Sequence, residues 1–521
     1  MELLPLKATF SPKESIEIEL RGAQAPTEIT LWHLDRRLDA KRTEHDEIVR
    51  FQPQPVGGYG VDADGAQTAF DVLDDPLDRP RYGFVSHYEA GRETAGVVDN
   101  IRRLHLNATQ FYDWMYRHAQ LLPREEEFTD ALGRRISLNT VRRLAKAVRE
   151  AGSLPMGYAA VYAIGREHWD EWRGDGLYRA DGSPWTLGDD FLWNVDPTSH
   201  RWLEHFTREL EAARDVGFAG FHLDQYGSPK RALRQDGSDV DLATAFPALI
   251  DTVAARVRGA RLIFNNVNDF PTWATAGTNQ DATYIEVWAP HDRLAHLAEL
   301  VSKAKSMARD KPVILAAYLS TYARDERAGT AAEELQLATV FSHGGTVLLH
   351  GEEDAALTEA YYVSHKRLGR ESQATARRYF DFAVRYGDLL FDPTAVDVTR
   401  THTGGQNHEV RIKAPVRTAT DCEAGTLWTR VVHTSRGLII SLIDLSSQDD
   451  ELWDAPKATS QVLSGVELFV ERSAVSAPLF LFAAPNDAPR LRPLDAELDG
   501  NHDQVAVPPF RTWALVWVRE V

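Results

Sequence analysis

The chain opens on period-two alternation. Ile16, Ile18 and Leu20 are interleaved with Glu17 and Glu19, and Phe70 and Val72 flank Asp71, the pattern of strands with one face buried and the other wet. This predicts a small β-sandwich over residues 1–78. Within it, the turn residues at 62–65, Asp-Ala-Asp-Gly, are read as a hairpin turn rather than a calcium loop.

From about residue 80 the pattern changes to short apolar runs separated by amphipathic stretches, the form taken by parallel strands covered by helices. Eight such runs occur: PRYGFVSHY (80–88), NATQFYDWM (107–115), LPMGYAAVYA (154–163), GFAGFHLDQY (217–226), RLIFNNV (261–267), ATYIEVW (282–288), PVILAAYL (312–319) and GGTVLLHGE (344–352). Eight repeats predict a closed (β/α)8 barrel of the TIM type over residues 79–390. The helices are legible too. Leu294, Leu297, Val301, Ala304 and Met307 form one apolar stripe, and Trp202, Phe206, Leu210 and Ala213 form another. Alternation returns after residue 390, in LIISLIDL (438–445), VELFV (466–470) and TWALVWV (512–518), predicting a C-terminal β-sandwich over 391–521.

Composition narrows the function. With 43% hydrophobic and 26% charged residues, the 521-residue chain has the make-up of a globular protein with a full core. Its net charge of −19 repels phosphate backbones and anionic headgroups, so neither nucleic acid nor a membrane is expected as a partner. Cys422 is the single cysteine, which excludes an intrachain disulfide and a thiolate metal cluster. The first residues lack a basic start followed by an apolar stretch, and no run of about 18 apolar residues occurs; the chain as given is expected to be cytoplasmic, or secreted if a leader was trimmed. No HExxH, Walker loop or GxSxG elbow is present, which removes the metalloprotease, nucleotide-hydrolase and serine-esterase readings.

In a β/α barrel the strand C-termini form an open cup, so polar residues closing apolar runs are the candidates for chemistry. Asp224 closes the fourth run and Glu286 stands near the end of the sixth. Each alone fits a satisfied carboxylate that caps a helix or pairs with an arginine. Together in one cup, their ionisations would be pushed apart, leaving one anionic and one protonated, as glycoside cleavage requires. A separation of about 5 to 5.5 Å would make the chemistry retaining. Tyr88, Tyr112, Trp114, Tyr158, Tyr162, Tyr226 and Trp288 stand at or near the same strand ends and offer either core packing or faces for sugar rings. Glu352 and Glu353 follow the eighth run and are either solvated or substrate contacts.

These residues bring out a resemblance. The blocks PRYGFVSHY, QFYDWMYRH (110–118), the Asp-Pro of NVDPTSHRW (194–202), GFAGFHLDQYG (217–227), YIEVW (284–288) and GGTVLLHGE, in that order, resemble glycoside hydrolase family 66, the dextranases and cycloisomaltooligosaccharide glucanotransferases. The resemblance implies Asp224 as nucleophile, Glu286 as general acid/base, retaining cleavage of α-1,6-glucans, and an immunoglobulin-like first domain. Candidate sugar contacts are Tyr88, Asp113, Trp114, Tyr158, Asn266, Trp288 and Glu352. No metal and no organic cofactor is expected. The family's glucanotransferases carry a carbohydrate-binding module inserted in the barrel region, and no connection here is long enough for one, so hydrolysis of dextran or isomaltooligosaccharides is expected over cyclisation. The alternatives are a transglycosylase, a hydrolase of another α-glycosidic linkage, and a glucan-binding protein without turnover.

Overall fold

The computed structural model describes residues 1–475 and 477–520. Eight parallel strands close into a barrel: β1 (Tyr82–Val85), β2 (Ala108–Phe111), β3 (Leu154–Ala160), β4 (Gly220–Asp224), β5 (Arg261–Val267), β6 (Ala282–Glu286), β7 (Val313–Ala316) and β8 (Thr346–Gly351). Neighbours pair in parallel all the way round, and β8 returns to β1. Each strand falls inside one of the eight apolar runs. Closure demands a glycine: a Cβ on Gly351 would collide with the Phe84 carbonyl oxygen, where the β8–β1 register shifts.

A helix follows each strand before the next begins, or after β8 completes the barrel: α1 (Ala95–Arg103), α2 (Leu138–Glu150), α3 (His200–Ala213), α4 (Leu242–Arg256), α5 (Thr272–Thr275), α6 (Leu294–Met307), α7 (Glu326–Ser342) and α8 (Arg370–Arg385). Ser137, Ser199, Asp241 and Asp325 cap α2, α3, α4 and α7 through their side-chain oxygens, satisfying backbone N–H groups that the first turn leaves free. Helix α3 buries Trp202, Phe206, Leu210 and Ala213, and α6 buries Leu294, Leu297, Val301 and Ala304. Met307, in the last turn of α6, is exposed; the apolar stripe ends before the helix does. Helix α7 is buried on nearly every side because it lies between β8 and a C-terminal strand, Gly437–Asp444, with α6 and α8 beside it.

Antiparallel sheets flank the barrel. At the N-terminus a three-stranded sheet (Glu2–Pro5, Ile16–Arg21, Ile48–Phe51) and a four-stranded sheet (Arg36–Thr43, Thr27–His33, Gly57–Ala63, Ala66–Val72) enclose a core that includes Leu3, Ile18, Leu31 and Phe70. The hairpin read at 62–65 is the turn between the last two strands. Asp71 departs from the alternation: it is buried, because strand Ala66–Val72 packs on α8, and its carboxylate receives Arg81 Nη1 at 2.7 Å and Nη2 at 3.0 Å. A buried charge is tolerable only when paired in this way.

The C-terminal strand Gly437–Asp444 is buried on both faces. Ile439 and Ile443 join the barrel's core, while Leu438, Ile440 and Leu442 join a separate core with Val466, Leu468 and Val516. One central strand therefore serves two packed layers, which is why its sequence reads as a continuous apolar run.

Candidate active site

The strands deliver their carboxyl-terminal residues to one cavity of about 310 Å³ in the mouth of the barrel. Asp224 is the last residue of β4 and Glu286 the last of β6; both reach the cavity. Between them, β5 supplies Asn265, whose single amide nitrogen donates to Asp224 Oδ1 at 2.7 Å and to Glu286 Oε2 at 2.9 Å. The two N–H bonds of an amide diverge by about 120°. Acceptors at those distances then lie about 5 Å apart, and laid end to end the two bonds allow at most about 5.6 Å.

Each carboxylate has a further hydroxyl donor. Tyr158 donates to Asp224 Oδ2 at 2.7 Å and Tyr318 donates to Glu286 Oε1 at 2.9 Å. Burial drives both phenols well above the ordinary tyrosine range, so they remain protonated and able to donate. Burial also raises both carboxyl groups, and the charge of Glu286 adds to the rise at Asp224, which is pushed up to about 7. The two groups titrate as a pair. At neutral pH the favoured state has one negative charge and one retained proton.

Most of the remaining wall is aromatic. Tyr112 and Tyr362 stack with ring centroids 4.4 Å apart, Tyr362 meets the hydroxyls of Tyr318 at 3.1 Å and Tyr284 at 3.4 Å, and Tyr226 meets that of Tyr158 at 3.4 Å. His222 lies below, its Nδ1 3.2 Å from the Tyr82 hydroxyl, and burial drops it to about 3, leaving a neutral ring.

Of the residues singled out in the sequence, Asp224, Glu286, Tyr158 and Trp288 come together in the cavity, with Tyr112 and Tyr226. The others do not line it. Tyr88 is buried and donates to the carbonyls of Val85 and Tyr112; Trp114 is buried and donates to the Tyr158 carbonyl; Tyr162 is buried with its hydroxyl on the Ser228 carbonyl. Asn266 faces away from the cup, bonded to the Tyr284 carbonyl and the Thr275 hydroxyl. Its neighbour Asn265 holds the inward position, since successive strand residues point to opposite faces.

Glu352 is neither solvated nor in the lining. It is buried, accepts from the backbone of Ser86 and His87, pairs with Arg92, and is lowered to about 2 by these partners against its own burial. Asp113 stands beside the cavity in a left-handed backbone conformation (φ 45°), its carboxyl raised to about 7 by burial and its charge felt at Asp224 and Tyr158. Asn265, Tyr284, Tyr318 and Tyr362 escaped the sequence reading. Tyr318 follows β7 and was findable as a polar residue ending an apolar run; Tyr362 lies in a short turn after β8 and left no strand signal.

Fold and site together define a β/α-barrel protein with a buried pair of carboxyl groups at the ends of two strands separated by one. The chain belongs to glycosyl hydrolase family 66, whose family model matches residues 7–517. Two cycloisomaltooligosaccharide glucanotransferases of Niallia circulans are similar to it, one 30% identical over 315 residues and one 28% identical over 373. These matches take in 53% and 60% of this chain but only 32% and 38% of the relatives, about a third of their length. Among solved structures, a Paenibacillus sp. cycloisomaltooligosaccharide glucanotransferase complexed with cycloisomaltoheptaose shares the fold with a TM-score of 0.89 at 18% identity, covering 99% of both chains. An α-amylase of Geobacillus thermoleovorans complexed with acarbose aligns more loosely, with a TM-score of 0.55 at 9% identity over 86% of this chain and 100% of its own.

Proposed function

We propose that this protein cleaves α-1,6-glucosidic bonds in dextran or isomaltooligosaccharides with retention of anomeric configuration. The observation that carries the reading is the Asn265-bridged pair: sharing one donor nitrogen, Asp224 Oδ1 and Glu286 Oε2 lie at most about 5.6 Å apart, close to the spacing of about 5 to 5.5 Å used in retaining cleavage and short of the wider gap that inversion needs for its water. The linkage is supported by family membership and by the glucanotransferases among its relatives, whose names specify isomaltooligosaccharide rings.

In the first half-reaction an oxygen of Asp224 forms a bond to C1 as the bond from C1 to the glycosidic oxygen breaks. Glu286 gives its proton to that departing oxygen. The result is a glucosyl ester on Asp224 and an anionic Glu286. In the second half, Glu286 takes a proton from an incoming hydroxyl, whose oxygen bonds to C1 as the ester bond breaks. Water as acceptor gives hydrolysis and a sugar hydroxyl gives transfer. Transfer is the second reading, favoured by the names of the two relatives, both glucanotransferases; the aromatic wall is suited to seat a sugar acceptor.

The test is NMR of the first-formed anomer from isomaltooligosaccharides. The α-anomer supports the proposal, and the β-anomer sinks it. Asp224→Ala supplied with azide should yield a β-glucosyl azide from an activated α-glucoside, because the small anion enters from the nucleophile's side.

A further inference from the structure

Asn265 has no part in the bond changes just described, yet among the described residues it is the one side chain hydrogen-bonded to both carboxylates. Its placement is fixed from three sides. It sits within β5 opposite Tyr284 of β6, its backbone carbonyl accepts from Gln225 Nε2 at 3.1 Å, and the side chain is buried. Among the described residues its Oδ1 has no hydrogen-bond partner. The amide is therefore turned to give its donors to the carboxylates at the expense of its own acceptor. The opposite orientation would set a carbonyl oxygen against two acidic groups.

From this bridge we propose that Asn265 is a positioning residue: it fixes the spacing of Asp224 and Glu286 and stabilises the site's single negative charge at either end as that charge passes between them. The inference rests on the retaining reading above. In that chemistry the shared charge must be on Asp224 when the first step occurs and is on Glu286 after it, and it returns in the second, whichever carboxyl holds the proton at rest. A donor fixed to one carboxylate alone would hold the charge there and oppose its transfer. A donor shared by both serves each state without moving, which is the advantage of preorganised dipoles around buried groups.

The surroundings leave this task to few groups. Tyr158 and Tyr284 face the pair from β3 and β6, and Tyr226, Tyr318 and Tyr362 from the segments after β4, β7 and β8, and burial keeps all of them neutral. His222 and Tyr112 are neutral for the same reason. Asp113 is the further carboxyl acting on Asp224, and its charge adds repulsion. Each tyrosine that bonds to the pair bonds to one member; Asn265 bonds to both.

The experiment replaces Asn265 by alanine and, to preserve volume, by aspartate, and reads two quantities. The first is the pH profile of kcat/KM on isomaltotriose. Loss of a donor that favours the anion raises the ionisation of either carboxyl, so Asn265→Ala should move both limbs upward by about one unit, with KM changed less than about threefold. Asn265→Asp, with a third carboxyl in contact, should move them at least as far. The second is a carboxyl-carbon NMR titration of Asp224 and Glu286 in wild type and variants, which needs no turnover and should show the same two displacements. If limbs and titrations stay in place in a folded variant, Asn265 is only packing and the inference is overturned. If alanine does not fold, the aspartate variant decides. If wild type cleaves no α-glucan but both titrations move, the bridge stands and the proposed reaction falls.

Discussion

The Tyr158 hydroxyl and Asp224 Oδ2 lie 2.7 Å apart, a hydrogen bond made inside the barrel mouth to one member of the carboxylate pair alone. A hydrogen bond to a charged group contributes about 1.5 to 3 kcal/mol, and one pKa unit corresponds to about 1.4 kcal/mol. Tyr158→Phe should therefore raise the acid limb of kcat/KM by about one to two units and leave the alkaline limb near its wild-type place. Tyr318→Phe, at the other carboxylate, should move chiefly the alkaline limb. Rate profiles from pH 4 to 10 on one substrate separate the two, and identical profiles for both variants would contradict the division of donors.

Asp224 should cost the fold stability. Its folded value, pushed up to about 7 by burial and by Glu286, lies above the value of about 3.9 expected in the unfolded chain. The stability that goes with the retained proton is complete below the unfolded value and is lost as pH rises through the folded one. Asp224→Asn is neutral throughout. It should melt about 2 to 4 °C above wild type at pH 8 and show no advantage near pH 4, while its turnover falls by several orders of magnitude. Calorimetry at the two pH values checks the first expectation.

Glu352 runs the opposite way. Its partners lower it to about 2 although it is buried, so the stability it contributes is present above the unfolded value of about 4.3 and is lost as pH falls toward 2. The carboxylate ties the end of β8 to the loop after β1 through Ser86, His87 and Arg92. Glu352→Gln leaves the Arg92 guanidinium without its counter-charge, a change that costs about 3 kcal/mol or more when the partner is buried. The melting temperature should drop at pH 7, and the gap from wild type should narrow below pH 4.

How much of this was legible beforehand differs between scaffold and site. Strands of a closed barrel are buried on both faces, so all eight appear as apolar runs, and the polar residues closing two of them are Asp224 and Glu286. Alternation failed where a second layer covers the face that should be wet, as at Asp71 under α8 and along Gly437–Asp444. In the site, the consecutive pair Asn265 and Asn266 differ only in strand parity, which the letters alone do not fix: one bridges the carboxylates and the other bonds behind the wall. Tyr88 and Trp114 sit near strand ends like true cavity residues, but their polar atoms are already bonded to the main chain.

Trp288 gives the sharpest test of which acceptor the site prefers. It follows Glu286 by two residues, lines the cavity, and is 41% exposed with its ring 5.9 Å from that of Tyr318. So large an apolar face is kept in water next to Glu286, the proposed proton donor. In the proposed mechanism that location would put the ring beside the departing sugar and, in the second step, beside the incoming one. Stacking of this kind is worth about 0.5 to 1.5 kcal/mol beyond the area it covers, so Trp288→Ala should raise KM by about tenfold on isomaltooligosaccharides. It should change kcat less, because Asn265, Tyr158 and Tyr318 still donate to the carboxylates and only the Trp288 contact with Glu286 is lost. Water needs no aromatic platform and a sugar acceptor does. The ratio of transfer products to free glucose at high substrate concentration should therefore fall in Trp288→Ala and recover in part in Trp288→Phe. A ratio equal to wild type in both variants would place the acceptor sugar elsewhere on the rim.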